Sequence, residues 1–225
     1  MKVIYFEHSG FCVEGETTGL IFDYIKGDLS LLNENKHYYV FVSHGHRDHF
    51  NKEIFTLFQT YKVTYILSDD CITNEDNVWM IGPNHFLKVD DLEITTLKST
   101  DEGVAFFVKF EGHCIYHAGD LNDWCWLDES SDQENDEMRF AYQNEIDQLK
   151  DESIELAFVV VDPRLKQATI DGLHYFMKHV EVEYIAPMHF WNDYDCIAEV
   201  KKEIDIENKM IEINHINQVF YLDEE

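Results

Sequence analysis

The sequence predicts an α/β protein in which two β-rich halves, each followed by helices, stack as a four-layer αββα sandwich. Three observations point there. Segments with β patterning occupy most of the first 117 residues, the last third alternates strand with helix, and no internal repeat or low-complexity linker divides the chain. Periodicity alone admits other α/β arrangements of the same elements. With 225 residues the chain can bury a substantial core, and one domain over residues 1–225 is expected.

In chain order, short β segments are expected at residues 2–6, 11–14, 20–23 and 38–43, the last apolar nearly throughout, as a buried strand should be. Residues 51–61 place Ile54, Phe55, Leu57 and Phe58 at helical spacing, and a strand follows at 63–67. The second β-rich half supplies candidates at 77–81, 92–97, 104–110 and 113–117, with Gly112 at the turn between the last two. Residues 129–151 are acidic and polar, with Met138, Phe140, Tyr142, Ile146 and Leu149 interspersed. They read as an acidic loop leading into an amphipathic helix that could cover a cleft. Strands at 156–161, 184–186 and 219–222 then alternate with helices at 172–179 and 194–204.

Seventeen Lys and Arg oppose 45 Asp and Glu, a formal net charge of −28 that repels phosphate backbones and anionic lipid. Nucleic acid and membrane partners are therefore disfavoured, and a small-molecule substrate is expected. Hydrophobic residues at 45% still allow folding by burial. The opening residues reach Glu7 and His8 too early for a signal peptide, and no apolar run approaches the length of a membrane span, so a cytoplasmic protein is expected. The five cysteines, Cys12, Cys71, Cys114, Cys125 and Cys196, are scattered and never spaced C-x-x-C, which suggests buried thiols rather than disulfides or thiolate zinc. Oligomeric state is not legible.

The chemistry concentrates in Val42-Ser43-His44-Gly45-His46-Arg47-Asp48-His49-Phe50, where three imidazoles and a carboxylate follow directly on a buried strand. Imidazole nitrogen and carboxylate oxygen are the ligands that first-row divalent metals take. His44 and His46, one small residue apart, can point the same way from an extended turn while Asp48 and His49 lie on the next turn, which suits two neighbouring ions. A loop merely rich in histidine would leave this density and spacing unexplained.

The H-x-H-x-D-H pattern resembles the signature of the metallo-β-lactamase superfamily. Leu20-Ile21-Phe22-Asp23 looks like that family's early strand ending in Asp, Tyr116-His117-Ala118-Gly119-Asp120 like its fourth motif, and Pro187-Met188-His189-Phe190 like its last histidine motif, all in family order. A closer resemblance, carried by Glu7-His8-Ser9-Gly10 and by residues 116–120, is to the L-ascorbate-6-phosphate lactonase-like branch. Carried over by position, the resemblance implies that His44 and His46 bind one metal, Asp48, His49 and His189 a second, and that Asp120 bridges. The third histidine expected for the first metal is missing. Asp101, in Leu97-Lys98-Ser99-Thr100-Asp101-Glu102-Gly103, is the natural substitute. A carboxylate there hardens the site and shifts preference from zinc toward manganese or iron, or weakens that half, leaving one ion on Asp48, His49, Asp120 and His189.

His8 is a candidate substrate contact by the resemblance, or else caps a turn with Ser9. Asp23 and His117 read as groups that orient ligands. Arg164, after a buried strand in Val160-Val161-Asp162-Pro163-Arg164, is a candidate anion contact or a structural ion-pair partner. Trp124, Trp126 and Trp191 are candidates for a cleft wall or for the core. His37, His85, His113, His174, His179 and His215 have no partner spacing and read as ordinary residues. The expected activity is metal-dependent hydrolysis of a small ester, lactone or phosphoester, using one or two divalent ions, zinc or manganese with iron as an alternative. Asp48 or Asp120 would orient the attacking water. The competing readings are a non-catalytic metal-binding or sensing protein of the same fold and a mononuclear iron thiol oxygenase.

Overall fold

The computed structural model describes residues 1–203 and 210–222. Period-two burial in the first strands explains why they build an inner sheet. In β1 (Lys2–Glu7), β2 (Gly10–Glu14), β3 (Thr18–Phe22) and β4 (His37–Val42), successive side chains go to opposite faces. Val3, Tyr5, Phe11, Val13, Leu20, Phe22, Tyr39 and Phe41 enter one apolar cluster. Ile4, Phe6, Cys12, Ile21, Tyr38, Val40 and Val42 enter another. Both faces are thus covered, which is why these strands read as continuous apolar runs rather than alternating ones.

β5 (Lys62–Ser68) and β6 (Val78–Ile81) extend this sheet, which has the order β13-β1-β2-β3-β4-β5-β6 with β13 at Gln218–Tyr221. The second sheet comprises β7 (Phe86–Val89), β8 (Leu92–Lys98), β9 (Val104–Phe110), β10 (His113–His117), β11 (Ser153–Val160) and β12 (Glu181–Met188) in the order β12-β11-β10-β9-β8-β7. Its Ile94, Phe106, Val108 and Phe158 share the first cluster with the inner face of the first sheet. The Phe11–Phe158 rings, 4.3 Å apart, are one of the contacts across the sandwich. Among the described residues four α-helices complete the layers: α1 (Ile54–Leu57), α2 (Asp132–Ile146), α3 (Asp171–His179) and α4 (Tyr194–Glu203). The α/β class and the αββα sandwich are as expected. Residue 204, the last of the expected final helix, lies outside the described residues.

Two expectations need correction. Residues 51–61 form only the single turn α1, because just Ile54 and Phe58 are fully buried and the segment lacks both an N-cap side chain and the length that stabilises a helix. Strand β7 was not expected. Its exposed Phe86 and Lys88 and its tight Asp90-Asp91 connection to β8, with Asp90 at φ 52°, give little apolar periodicity. By contrast α2 starts at a well-formed cap. Ser131 Oγ accepts from the Glu134 N–H while the Glu134 carboxylate accepts from the Ser131 N–H, a reciprocal cap.

The strands deliver their polar ends to one end of the sandwich, as sheets of this kind do. The loops after β4, β8, β10, β11 and β12, together with the β1–β2 turn, meet there. Glycine is required at two of these junctions. A Cβ on Gly103 (φ +68°) would lie 2.1 Å from the Ser43 carbonyl oxygen, and one on Gly119 (φ +53°) would lie 2.7 Å from Ser43 Cβ. Both pack directly behind the histidine loop.

Candidate metal centre

Asp23 directly follows β3 in a left-handed conformation (φ 42°) and is fully buried. Its carboxylate accepts from the Ser43 N–H (2.7 Å), the Ser43 hydroxyl (2.6 Å) and His49 Nδ1 (2.7 Å). Because Ser43 gives its proton to Asp23, its oxygen is left to accept from His44 Nδ1 at 3.0 Å. His189 is likewise held at Nδ1, by Asp162 Oδ2 at 2.9 Å. In its neutral form each of these three imidazoles is therefore fixed in the tautomer that presents an unprotonated Nε2, the arrangement in which a carboxylate or hydroxyl behind a histidine orients it toward a metal.

Those Nε2 atoms converge on Asp120. His44 Nε2 is 3.4 Å from Asp120 Oδ2, while His49 and His189 Nε2 are 3.2 and 3.5 Å from Oδ1. Two ligands of one tetrahedral ion, each about 2.1 Å from it, lie about 3.4 Å apart, so these separations match a shared cation. The potential ligand atoms fall into two groups, each within 4.8 Å of one another: His44, His46 and Asp120, and His8, Asp48, His49 and His189. Nε2 of His8, His44 and His49 and Oδ1 of Asp120 are buried with no hydrogen-bond partner. Unpaired buried polar atoms are costly, and here they face one another, so the donor set fits a divalent cation.

Burial works against charge on His49, yet Asp120 and Asp23 outweigh it and lift its pKa to about 10, so its Nε2 carries a proton that a bound cation would displace. Burial would raise the Asp120 pKa, but His49, His189 and His44 hold it well below the ordinary carboxylate range. Asp48 is held low mainly by His8 beside it. Burial and then His49 push His44 down to about 4, leaving it neutral and free to ligate near pH 7. His8 and His189 also adopt positive φ (56° and 64°), local strain of about 1–3 kcal/mol each that clusters here as it does at functional sites.

A cleft of about 380 Å³ opens over the cluster, lined by His46, Asp48, Asp101, Asp120 and His189 on its polar side and by Trp124, Trp126, Met138 and Trp191 on its apolar side. Met138 comes from α2, so the acidic segment contributes to the wall of the cleft. Arg164 lines it as well. Its Nε donates to both Asp162 oxygens (2.9 Å each) and its guanidinium lies 4.6 Å from the Trp191 ring and 5.7 Å from that of Trp126. The ion pair with Asp162 is thus present, and the guanidinium still lines the cleft, where the anion contact would be made.

All the sequence-predicted candidates reach this end of the fold, with two qualifications. Asp101 Oδ2 stands 4.0 Å from His46 Nδ1, both side chains about half exposed, and lies outside the two convergent groups. His8 is not among the residues lining the cleft but lies in the second group itself. His117 Nδ1 accepts from the Gly119 N–H, so Nε2 carries the proton and donates to the Ser9 carbonyl at 2.9 Å, tying the β1–β2 turn to the fourth motif. The support of His189 by Asp162 was missed. The two are 27 residues apart and only the parallel pairing of β11 with β12 brings them together.

With this geometry in hand, a family model described as "Beta-lactamase superfamily domain" matches residues 2–135, more than half of the chain. The chain belongs to this superfamily and has the metallo-β-lactamase fold. Comparison with curated protein sequences gives no match. Among solved structures, a metallo hydrolase from the archaeon Ignicoccus hospitalis is similar at 17% identity and TM-score 0.69, with 99% of each chain covered. An isothiocyanate hydrolase from Delia radicum gut bacteria is similar at 12% identity and TM-score 0.59, again with 99% of each covered. A diiron β-hydroxylase from Streptomyces venezuelae, at 10% identity and TM-score 0.65, aligns 98% of this chain with 54% of its own. At these identities the likeness establishes the fold.

Proposed function

We propose that this protein is a metal-dependent hydrolase of a small ester, lactone or phosphoester that carries an anionic group. The observation that carries the reading is the convergence of buried, unpartnered ligand atoms from His8, His44, His49 and Asp120 beside an open cleft that Asp120 lines. His44, His46 and Asp120 would hold one ion, with Asp101 near enough to His46 to join them by a side-chain rotation. Asp48, His49 and His189 would hold a second, with Asp120 between the two. When bound, divalent metal supplies Lewis acidity toward a carbonyl or phosphoryl oxygen and an acidified water as nucleophile.

The chain's own groups account for the remainder. Asp48 and Asp120, ionised and facing the cleft, accept hydrogen bonds that orient the attacking water. The indoles of Trp124 and Trp126 stack 6.2 Å apart and, with Trp191, exclude bulk water from one side. Arg164 keeps its charge, since Asp162 raises its pKa, and among the described residues it is the one cationic side chain on the cleft apart from histidine. An anionic substituent would sit against it, and the resemblance to the lactonase branch makes phosphorylated lactones the first compounds to assay. The cleft, with its volume of about 380 Å³, suits a metabolite rather than a polymer.

The test is metal analysis of protein purified without added metal, followed by hydrolysis of generic esters and phosphodiesters before and after chelation. Bound divalent metal and activity that disappears with the metal and returns with it are expected. Unchanged metal content and hydrolysis in both Asp48→Ala and His189→Ala would overturn the assignment. An iron oxygenase is the second reading, favoured by the carboxylate of Asp101 beside His46, a hard ligand that disfavours zinc. Oxygen consumption with a thiol substrate distinguishes it.

A further inference from the structure

The metal reading leaves His8 unexplained, because a substrate contact should face the cleft and a turn cap should make a side-chain hydrogen bond. It does neither. The His8 imidazole is packed between the rings of His189 (4.3 Å between centroids), Trp191 (4.7 Å) and His49 (5.5 Å), is 7% exposed as a residue, and its Nε2 has no hydrogen-bond partner. That nitrogen lies 3.6 Å from Asp48 Oδ2, and a ring nitrogen of His8 lies within 4.8 Å of the ligand atoms of Asp48, His49 and His189.

The backbone is arranged to put it there. His8 occupies the β1–β2 turn at φ 56°, where its N–H donates to the Tyr5 hydroxyl at 3.0 Å and its carbonyl accepts from the His189 N–H at 3.4 Å. The next residue is anchored through its carbonyl by His117. A residue held in the left-handed region by three elements, with its side chain buried and unpaired, has been placed for that side chain.

The two halves of the centre are unequally prepared. On the His44 side, His46 is about half exposed, and Asp101, where a further ligand is expected, is also about half exposed and 4.0 Å away. Binding an ion there must immobilise free side chains. On the other side, His8, His49 and His189 are buried, and the latter two are fixed at Nδ1.

Resting on the reading of this cluster as a metal centre, we propose that His8 is itself a metal ligand through Nε2. The half formed by His8, Asp48, His49 and His189 is then the four-ligand, high-affinity half, which loads first, while the His44, His46 and Asp120 half takes up the second ion. The chain offsets the missing histidine of one half by adding a histidine to the other.

The experiment is a Co²⁺ titration of chelator-stripped protein, followed by calorimetry and visible absorption, in wild type, His8→Ala, His8→Cys and His46→Ala. Wild type is expected to bind a first ion tightly. His8→Ala should weaken that first event by more than the roughly 10–100-fold that losing a group outside the ligand set costs. His46→Ala should weaken the second event and leave the first. His8→Cys should show a thiolate-to-cobalt charge-transfer band that wild type lacks, since among the described residues no cysteine lines the cleft. If wild type binds no ion, the metal reading itself is wrong. If wild type binds but His8→Ala keeps first-ion affinity, or His8→Cys folds, binds cobalt and shows no such band, the role of His8 is wrong and the metal reading stands.

Discussion

At the scale of single residues, the centre depends on groups that never face the cleft. Asp23 accepts from Ser43 and His49 and thereby fixes two imidazoles at once, so Asp23→Asn keeps the shape and loses the charge that holds His49. The expected outcome is a folded protein whose metal affinity falls about 10–100-fold, read by competition with a chromophoric chelator. Arg164 makes a different kind of contribution. Arg164→Ala should raise KM for an anionic ester by about tenfold, the loss of one charge-assisted contact of about 1.4 kcal/mol, and leave KM for a neutral analogue nearly unchanged. Equal effects on both substrates would make it a purely structural partner of Asp162. The ligand cluster from His44 to His49 is legible in the sequence because its members are neighbours. The links His189 to Asp162 and His117 to Ser9 are not, because strand pairing alone creates them.

At the scale of elements, the hairpin ends and strand exits carry the consequences. Gly103 is pressed against the Ser43 carbonyl and needs a positive φ, so Gly103→Ala must displace the strand end that feeds His44. A loss of stability of about 1–3 kcal/mol together with weaker metal binding is expected from thermal melts and titration. Far from the centre, Glu111 at the β9–β10 turn accepts from the Thr17 N–H (3.0 Å) and the Thr17 hydroxyl (2.5 Å), clamping the two sheets at the opposite end. Partial burial raises its pKa, but the Thr17 contacts outweigh that and lower it. The folded state thus favours its ionised form, so its contribution is present above the ordinary glutamate pKa and lost as pH falls below it. Glu111→Gln should accordingly flatten the acid limb of the stability profile. Most strands are legible because burial of both faces leaves unbroken apolar runs. Strand β7 and the shortness of α1 are not, since an edge strand and a single turn take their form from what they pack against.

For the molecule as a whole, 45 acidic against 17 basic residues make self-repulsion a standing cost, concentrated where Asp23, Asp48, Asp120 and Asp162 crowd one end of the sandwich. Divalent metal bound only by the folded state would relieve it. At 100 times its Kd, such an ion adds about 2.7 kcal/mol of stability, about 5–10 °C in Tm for a chain of this size. Among the described residues no helix is long and apolar enough to cross a membrane. The αββα sandwich follows from two β-rich halves, but the inequality of the two metal half-sites needed coordinates, because the β1–β2 turn and the loop after β4 lie more than 30 residues apart in the chain.

The most direct test of the central claim is elemental analysis, by inductively coupled plasma mass spectrometry, of wild-type protein and Asp120→Ala purified side by side without added metal. The account predicts one to two divalent ions per wild-type chain and a clear loss in the variant, whose missing carboxylate lies between both groups of ligands. A wild-type protein free of divalent metal even after incubation with zinc, manganese or iron would contradict it.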